Sequence, residues 1–167
     1  MRSRRATTTI CSFLITIAIA IAGCSVGPSG ESNSVNSASN RAAVQANSAR
    51  TNLEELSVLV NIPYTAEDVV WKEVTGSRRL IAVLRFSPTD SAKLIAEVSS
   101  VRPATAVMVS SETWFPPELI AQGEMSGDDS LKGMSYAANN FLQPPYTEGS
   151  ITRIDGTDYF VLDVSAK

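Results

Sequence analysis

The chain has 167 residues, of which 14 are Lys or Arg and 17 are Asp or Glu, giving a formal charge of −3. A chain this acidic lacks the basic surface that nucleic-acid binding requires. It also contains no histidine, which excludes Ser-His-Asp and Cys-His catalysis and most zinc or copper sites.

The first 22 residues follow the layout of a secretory signal peptide. Arg2, Arg4 and Arg5 give a positive start, and an apolar run over residues 10–22 follows. A membrane-spanning helix needs about 20 apolar residues, whereas a run of about 10–14 is typical of a signal-peptide core. We therefore expect this segment to be removed rather than kept as a membrane anchor.

The run ends in Ile21-Ala22-Gly23-Cys24, a branched apolar residue and two small residues before a cysteine. This motif resembles the lipobox of bacterial lipoproteins. The resemblance implies that residues 1–23 are a cleaved signal peptide whose peptidase recognises Ile21, Ala22 and Gly23. It also implies that Cys24 is lipidated and becomes the first mature residue. The other cysteine, Cys11, lies in the removed segment, so no intramolecular disulfide would survive.

The same resemblance implies a lipid-anchored position in the cell envelope, outside the cytoplasm. Ser25 after the cysteine implies the outer membrane, facing the periplasm, in a Gram-negative host. In a Gram-positive host the protein would lie on the outer face of the cell membrane. The mature chain would carry 11 basic and 17 acidic residues, a formal charge of −6, and would not be drawn to anionic headgroups. Its membrane attachment would therefore depend on the acyl chains.

Residues 24–52 are predicted to be the lipidated N-terminus and a disordered tether. This segment is rich in Ser, Asn, Gly and Ala and has almost no large apolar side chain, so it cannot bury enough surface to offset its conformational entropy. Residues 53–167 then form a single domain, a size typical of one hydrophobic core.

The start of that domain allows two interpretations. Leu56, Val58, Val60 and Ile62 alternate with other residues up to Pro63, which predicts a strand. Residues 52–55 read Asn-Leu-Glu-Glu and could instead open a helical turn as a capping box.

The rest of the domain predicts strands around one well-marked helix. Residues 68–74 and 78–86 are rich in β-branched and aromatic residues, and the turn at residues 75–77 between them predicts an antiparallel hairpin. Ser87 as N-cap and Pro88 at the first helical position predict a helix from residue 88 to about residue 99 that covers this hairpin.

Residues 105–109 are predicted to be a short strand, and the polar, three-glycine stretch 123–135 to be a mobile loop. Residues 136–142 are compatible with a short helix or an edge strand. A closing hairpin is predicted over residues 151–154 and 159–164, turning at Asp155-Gly156. The pattern predicts an α+β fold, mainly an antiparallel sheet of hairpins with one well-capped packing helix.

Two groups of acidic residues are candidates for chemistry. Glu112 and Glu118 flank an aromatic pair, as a carboxylate-based glycoside hydrolase would require. Asp128 and Asp129 could offer oxygen ligands to calcium, although the Asp-x-Asp-x-Asp-Gly pattern is missing. We favour ordinary surface and turn roles for all four, and predict no catalytic residues, no metal site and no cofactor.

The remaining candidate is the segment Trp114-Phe115-Pro116-Pro117. If it is exposed, these rigid aromatic and proline residues would form an interaction surface; if it is buried, which we favour for an aromatic pair, they belong to the core. The sequence favours a non-enzymatic lipoprotein that contacts the membrane through its anchor and acts on an envelope protein or as an envelope accessory. The alternatives are a small-molecule or lipid-binding module, with a groove between the helix at Pro88 and the sheet, and a carboxylate hydrolase.

Overall fold

The computed structural model describes residues 48–167, so Cys24 and the predicted signal peptide lie outside the described residues. In the described part the chain forms three α-helices and six β-strands. In chain order they are α1 (Leu53–Leu59), β1 (Ala66–Val74), β2 (Arg79–Phe86), α2 (Pro88–Val101), β3 (Thr105–Ser110), α3 (Pro117–Ser126), β4 (Ser130–Ala137), β5 (Glu148–Ile154) and β6 (Tyr159–Ser165). A 3₁₀ turn over Asn139–Phe141 follows β4.

All six strands belong to one sheet in the order β1-β2-β6-β5-β4-β3, and every neighbouring pair is antiparallel. The mixed α+β, mainly antiparallel prediction is confirmed. The sequence predicted one packing helix, whereas the described residues contain three. Because β2 pairs with β6, the strands that flank the turn at residues 75–77 and the strands that flank the turn at Asp155-Gly156 all belong to one sheet.

The first helix of the described chain is α1, and the strand prediction over residues 56–62 is wrong. Asn52 is the N-cap, and its side-chain oxygen accepts hydrogen bonds from the backbone N–H groups of Glu54 at 2.9 Å and Glu55 at 3.2 Å. The apparent alternation fails because Val58 is 71% exposed while Leu56 and Val60 are fully buried. The local cap therefore decides between the two patterns.

Helix α2 begins as the sequence signals require. The Ser87 hydroxyl accepts a hydrogen bond from the Asp90 N–H at 3.1 Å, and Pro88 occupies the first helical position, where a missing N–H costs nothing. Ser91, Leu94 and Val98 lie on its buried face. The helix continues to Val101, two residues beyond the predicted end.

The prediction of a loop over residues 123–135 is wrong, because this stretch contains the end of α3 and most of β4. Helix α3 ends at Ser126 and is capped by Gly127, whose φ of +83° is a left-handed conformation that favours glycine. Asp128 then accepts hydrogen bonds from the Ser126 hydroxyl at 2.7 Å and from the Ser130 hydroxyl at 2.5 Å. The polar residues thus close a tight helix-to-strand turn, and only residues 127–129 lie between the two elements.

The sheet has a core on each face. The larger one lies under α1 and α2 and includes Trp71, which is fully buried. The smaller one lies under α3. Its buried members are Val83, Phe115, Leu119, Leu131, Ile154, Tyr159 and Val161. Two buried faces require strands that are apolar on both sides, which is the pattern of β6.

Trp71 also joins the start of the described chain to the sheet. Arg50 and Trp71 exchange two backbone hydrogen bonds of 2.8 Å, and the Arg50 guanidinium lies 4.8 Å from the centre of the indole ring. The indole N–H donates to the backbone oxygen of Asn52 at 3.1 Å. Residues 50 and 52, which the sequence assigned to the tether, therefore contact the domain.

Tyr146 gives an expected pH dependence. It is buried beside Glu73, and this burial, followed by the charge of Glu73, raises the pKa of its phenol to about 12. The unfolded chain releases this proton near pH 10 whereas the folded chain retains it, so the free energy of unfolding should fall between pH 10 and 12. We expect Tyr146→Phe to make this fall shallower in urea denaturation. Equal pH dependence of the wild type and the variant would contradict the assignment.

Candidate functional site

The lipidation residue Cys24 and the recognition residues Ile21, Ala22 and Gly23 lie outside the described residues. The structure therefore leaves the predicted anchor as an expectation from sequence. Within residues 48–167, no helix combines the length and apolar character needed to cross a membrane.

The aromatic-proline segment lies between β3 and α3, and most of it is inside the protein. Phe115 and Pro116 are buried, Trp114 is half-buried and Pro117 is exposed. The two rings meet edge to face, with centroids 4.8 Å apart and planes at 82°. Phe115 is thus an anchor in the smaller core, and Trp114 packs against that core while keeping part of its surface accessible.

Local backbone hydrogen bonds fix this geometry. The Phe115 N–H donates to the Glu112 oxygen at 3.0 Å, which closes a turn immediately before the prolines. The Pro116 oxygen then accepts hydrogen bonds from Leu119 at 3.0 Å and from Ile120 at 3.1 Å, the first bonds of α3. Because both prolines lie at the start of the helix, they cost no internal hydrogen bond.

A polar cluster lies beside this segment. The Tyr159 hydroxyl is 3.5 Å from Glu118 Oε2, and the Arg85 guanidinium lies 5.8 Å from the centre of the tyrosine ring. Arg85 Nε is also 3.6 Å from Glu67 Oε2. Burial, and then the charge of Glu118, raise the pKa of Tyr159. We call Trp114, Pro117, Glu118, Tyr159 and Arg85 the Trp114 surface.

Sequence reasoning missed Tyr159 and Arg85 as members of this surface. Arg85 pairs with the Glu67 carboxylate and the Tyr159 ring. The only signal in the sequence was the alternation of side chains along β2 and β6. That alternation shows that residues 85 and 159 lie opposite each other only when the pairing of the two strands is already known.

Glu112 and Glu118 interact with different groups of the sheet. Glu118 contacts Tyr159, which pairs with Arg85 at the end of β2. Glu112 contributes to the electrostatic environment of Arg79, whose pKa is raised mainly by its hydrogen bonds to Asp163 and less by Glu112. Arg79 and Arg85 are six residues apart on one strand, roughly 20 Å. Glu118 therefore lies near the Arg85 end of β2, whereas Glu112 acts on the Arg79 end through its charge.

The acidic pair Asp128-Asp129 belongs to the turn between α3 and β4. Hydrogen bonds from Ser130, and then from Ser126, lower the pKa of the Asp128 carboxyl, so its lone pairs are already engaged. Asp129 has a left-handed backbone with φ of +52°. In the described part of the chain, no three His, Cys, Asp or Glu side chains are grouped as metal ligands.

The proposed ligand groove between α2 and the sheet is occupied by side chains, since Leu94 and Val98 are buried there. An open groove of about 580 Å³ lies instead beside α1 and the loop that follows it. Its lining consists of Leu53, Glu54, Ser57, Ile62, Pro63, Tyr64, Thr65 and Asp90. Tyr64 is held there by a hydrogen bond to Glu97 and by Lys93, whose ammonium lies 5.9 Å from the ring centre.

Comparisons of the chain with protein-family models, curated proteins and solved structures gave no match in any of the three.

Proposed function

We propose that this protein is a lipid-anchored lipoprotein of the bacterial cell envelope whose domain acts outside the cytoplasm by non-enzymatic protein contact or as an envelope accessory. The observation that carries the proposal is the series of charged start, apolar run and Ile21-Ala22-Gly23-Cys24. Diacyl or triacyl modification of Cys24 would hold the protein durably, because each buried methylene contributes about 0.8 kcal/mol.

The Trp114 surface is our proposed contact site for an envelope protein. A half-buried Trp whose position is fixed by a buried neighbour loses little conformational entropy on binding, and aromatic side chains dominate interface energies. Glu118 and Arg85 at its border supply charges of both signs, which favour a partner with polar groups around an apolar centre.

We also propose the finer description of the domain as a sheet of hairpins in which α2 is the well-capped packing helix. The antiparallel pairs β1–β2 and β5–β6 and the Ser87 cap support this description. The tether over residues 24–52, with its last residues docked on Trp71, would present this domain away from the membrane surface.

The experiment is intact-mass analysis of the protein from membrane and soluble fractions, comparing the wild type with Cys24→Ala and Cys11→Ala. We expect the wild type to lose residues 1–23, to gain acyl mass and to sediment with membranes. Cys24→Ala should lose the acyl mass and leave the membrane fraction. Cys11→Ala is the matched control: it lies in the segment predicted to be removed, so the mature mass should equal that of the wild type.

Two outcomes would reject the anchor. One is a mature chain that begins at a residue other than Cys24. The other is a Cys24→Ala variant that remains in the membrane fraction as fully as the wild type does.

A small-molecule or lipid-binding role is the second candidate, and the groove beside α1 is the observation that favours it. Leu53, Ile62 and Tyr64 supply apolar lining, whereas Glu54 and Asp90 disfavour an anionic headgroup. Titration of the full chain with a neutral fluorescent lipid distinguishes the two roles, since this candidate requires saturable binding that Tyr64→Ala weakens.

A further inference from the structure

The two edges of the sheet differ in how they are protected. Edge strand β1 carries Glu67, Asp68, Lys72 and Glu73, has an irregular register near its start, and is covered at Trp71 by the bridge from Arg50. Charges, bulges and covering segments are the usual devices that prevent an edge from pairing with another chain. Edge strand β3 reads Thr-Ala-Val-Met-Val-Ser and has no charged residue.

The free hydrogen-bonding groups of β3 follow from its register with β4. The Ser111 N–H donates to the Asp129 oxygen at 2.7 Å, and residues opposite each other along β3 and β4 alternate between bonded and non-bonded pairs. The odd-numbered residues of β3 therefore bond to β4, and Ala106, Met108 and Ser110 direct their N–H and C=O groups to the open edge. In the described part of the chain, β3 has a strand neighbour on one side only.

The sequence of this edge is nearly symmetric about Met108. The paired positions on its two sides are alike in size: Val107 with Val109, Ala106 with Ser110, and Thr105 with Ser111. An antiparallel pair of identical strands has a two-fold axis, and an axis at Met108 would bring each of these residues opposite its counterpart.

We propose that β3 pairs antiparallel with β3 of a second copy of this chain, with the two-fold axis at Met108. Ala106 then lies opposite Ser110 of the second copy, and Met108 lies opposite its own equivalent. Each of these pairs exchanges two backbone hydrogen bonds, and the sheet continues through both copies.

The side chains beside the edge fit a second copy. Met108 is 53% exposed and borders a depression of about 280 Å³, lined also by Ala106 and Met134 on the same face of the sheet. The two-fold axis places both depressions side by side and buries the two Met108 side chains against each other. β3 itself brings no charge to the axis, and the charged residues that line each depression, Lys132 and Asp155, are of opposite sign.

The test is cysteine crosslinking of the full chain, purified in mild detergent, with Cys11→Ser and Cys24→Ser so that each introduced thiol is the only one. Met108→Cys should form a covalent dimer on oxidation, since bonded antiparallel pairs have Cα atoms about 5.5 Å apart, within disulfide range. Chains with Ala106→Cys and chains with Ser110→Cys should crosslink when mixed. Neither should crosslink to itself, because the distance is then about 13 Å or more.

The matched control is Met125→Cys, a methionine that is 83% exposed and lies on α3, the helix that covers the opposite face of the sheet from Met108. Met108→Cys crosslinking no more than Met125→Cys would overturn the proposal, and so would self-crosslinking of Ala106→Cys. As a second measurement, Met108→Lys should raise the dimer dissociation constant of the full chain about tenfold in sedimentation, an effect of about 1.4 kcal/mol, whereas Met125→Lys should not. Since both thiols of the natural chain are replaced, the test does not depend on lipidation.

Discussion

Trp71→Ala should lower the free energy of unfolding by about 3–5 kcal/mol, the usual cost of removing a large aromatic side chain from a core. The side chain has no exposed surface, and its loss would also leave the Asn52 oxygen without its 3.1 Å indole donor. The contact with Arg50 would be lost as well, so the N-terminal residues of the described chain should detach more readily. Urea denaturation followed by far-ultraviolet circular dichroism measures this change without relying on tryptophan fluorescence.

Two variants separate the contributions to this loss. Trp71→Phe keeps most of the buried ring but removes the N–H donor, and we expect it to cost about 1–3 kcal/mol. Trp114→Ala is the matched control, because the same substitution at a half-buried site should cost clearly less than at Trp71. If Trp71→Ala and Trp114→Ala lower the free energy of unfolding by the same amount, Trp71 is not the anchor that its burial indicates.

Gly133→Ala should lower the free energy of unfolding by about 3 kcal/mol or more. A Cβ atom at this position in β4 would lie 2.4 Å from the Arg153 backbone oxygen and 2.8 Å from Thr152 Cγ2. Because the closest atom belongs to the backbone of β5, no side-chain rotation relieves the contact and the two strands must separate locally. The same denaturation measurement reports this loss.

Gly123→Ala is the matched control, because neither Gly123 nor Gly133 has a positive φ and both substitutions therefore test steric crowding. Its Cβ would lie 2.9 Å from Ser111 Cβ, which is also crowded, but the substitution is inside α3. Alanine is favoured over glycine in a helix by about 1 kcal/mol, which offsets part of the steric cost. If Gly133→Ala lowers the free energy of unfolding no more than Gly123→Ala does, β4 and β5 can move apart easily.

The parts of the fold that the sequence predicted are those with strong local signals. Asp155-Gly156 lies between two apolar runs, Gly156 adopts a φ of +74°, and β5 and β6 pair antiparallel on either side. Similarly, Ser87 and Pro88 mark the start of α2 through a hydrogen bond that depends only on neighbouring residues. Where the interaction that stabilises an element joins residues close together in sequence, the local sequence pattern is sufficient to predict that element.

The wrong predictions arose where long-range burial decides the structure. Leu56, Val58 and Val60 look alike in sequence, and only packing against the sheet leaves Val58 outside. The stretch 123–135 looks polar, yet Leu131 is buried against α3 and its glycines include Gly133, which the close approach of β5 requires.

The candidate surface shows the same limit. Whether Trp114 and Phe115 are buried depends on where β6 and α3 bring Tyr159, and local sequence contains no information on that pairing. Sequence spacing also suggested that Glu112 and Glu118 could act together, but the chain between them makes one turn and then starts a helix. Convergence of side chains is a property of the tertiary fold.

The position of β6 within the sheet constrains when the domain can form during synthesis. This strand follows the other five in the chain, but it lies between β2 and β5 and joins the two halves of the sheet. Residue 79 pairs with residue 165 and cannot form this pair until residue 165 has been synthesised. The sheet therefore depends on contacts between residues that are far apart in sequence. We expect the nascent chain to stay unfolded until β6 has been made. A chain in that condition is suited to export by a channel that accepts only extended polypeptide.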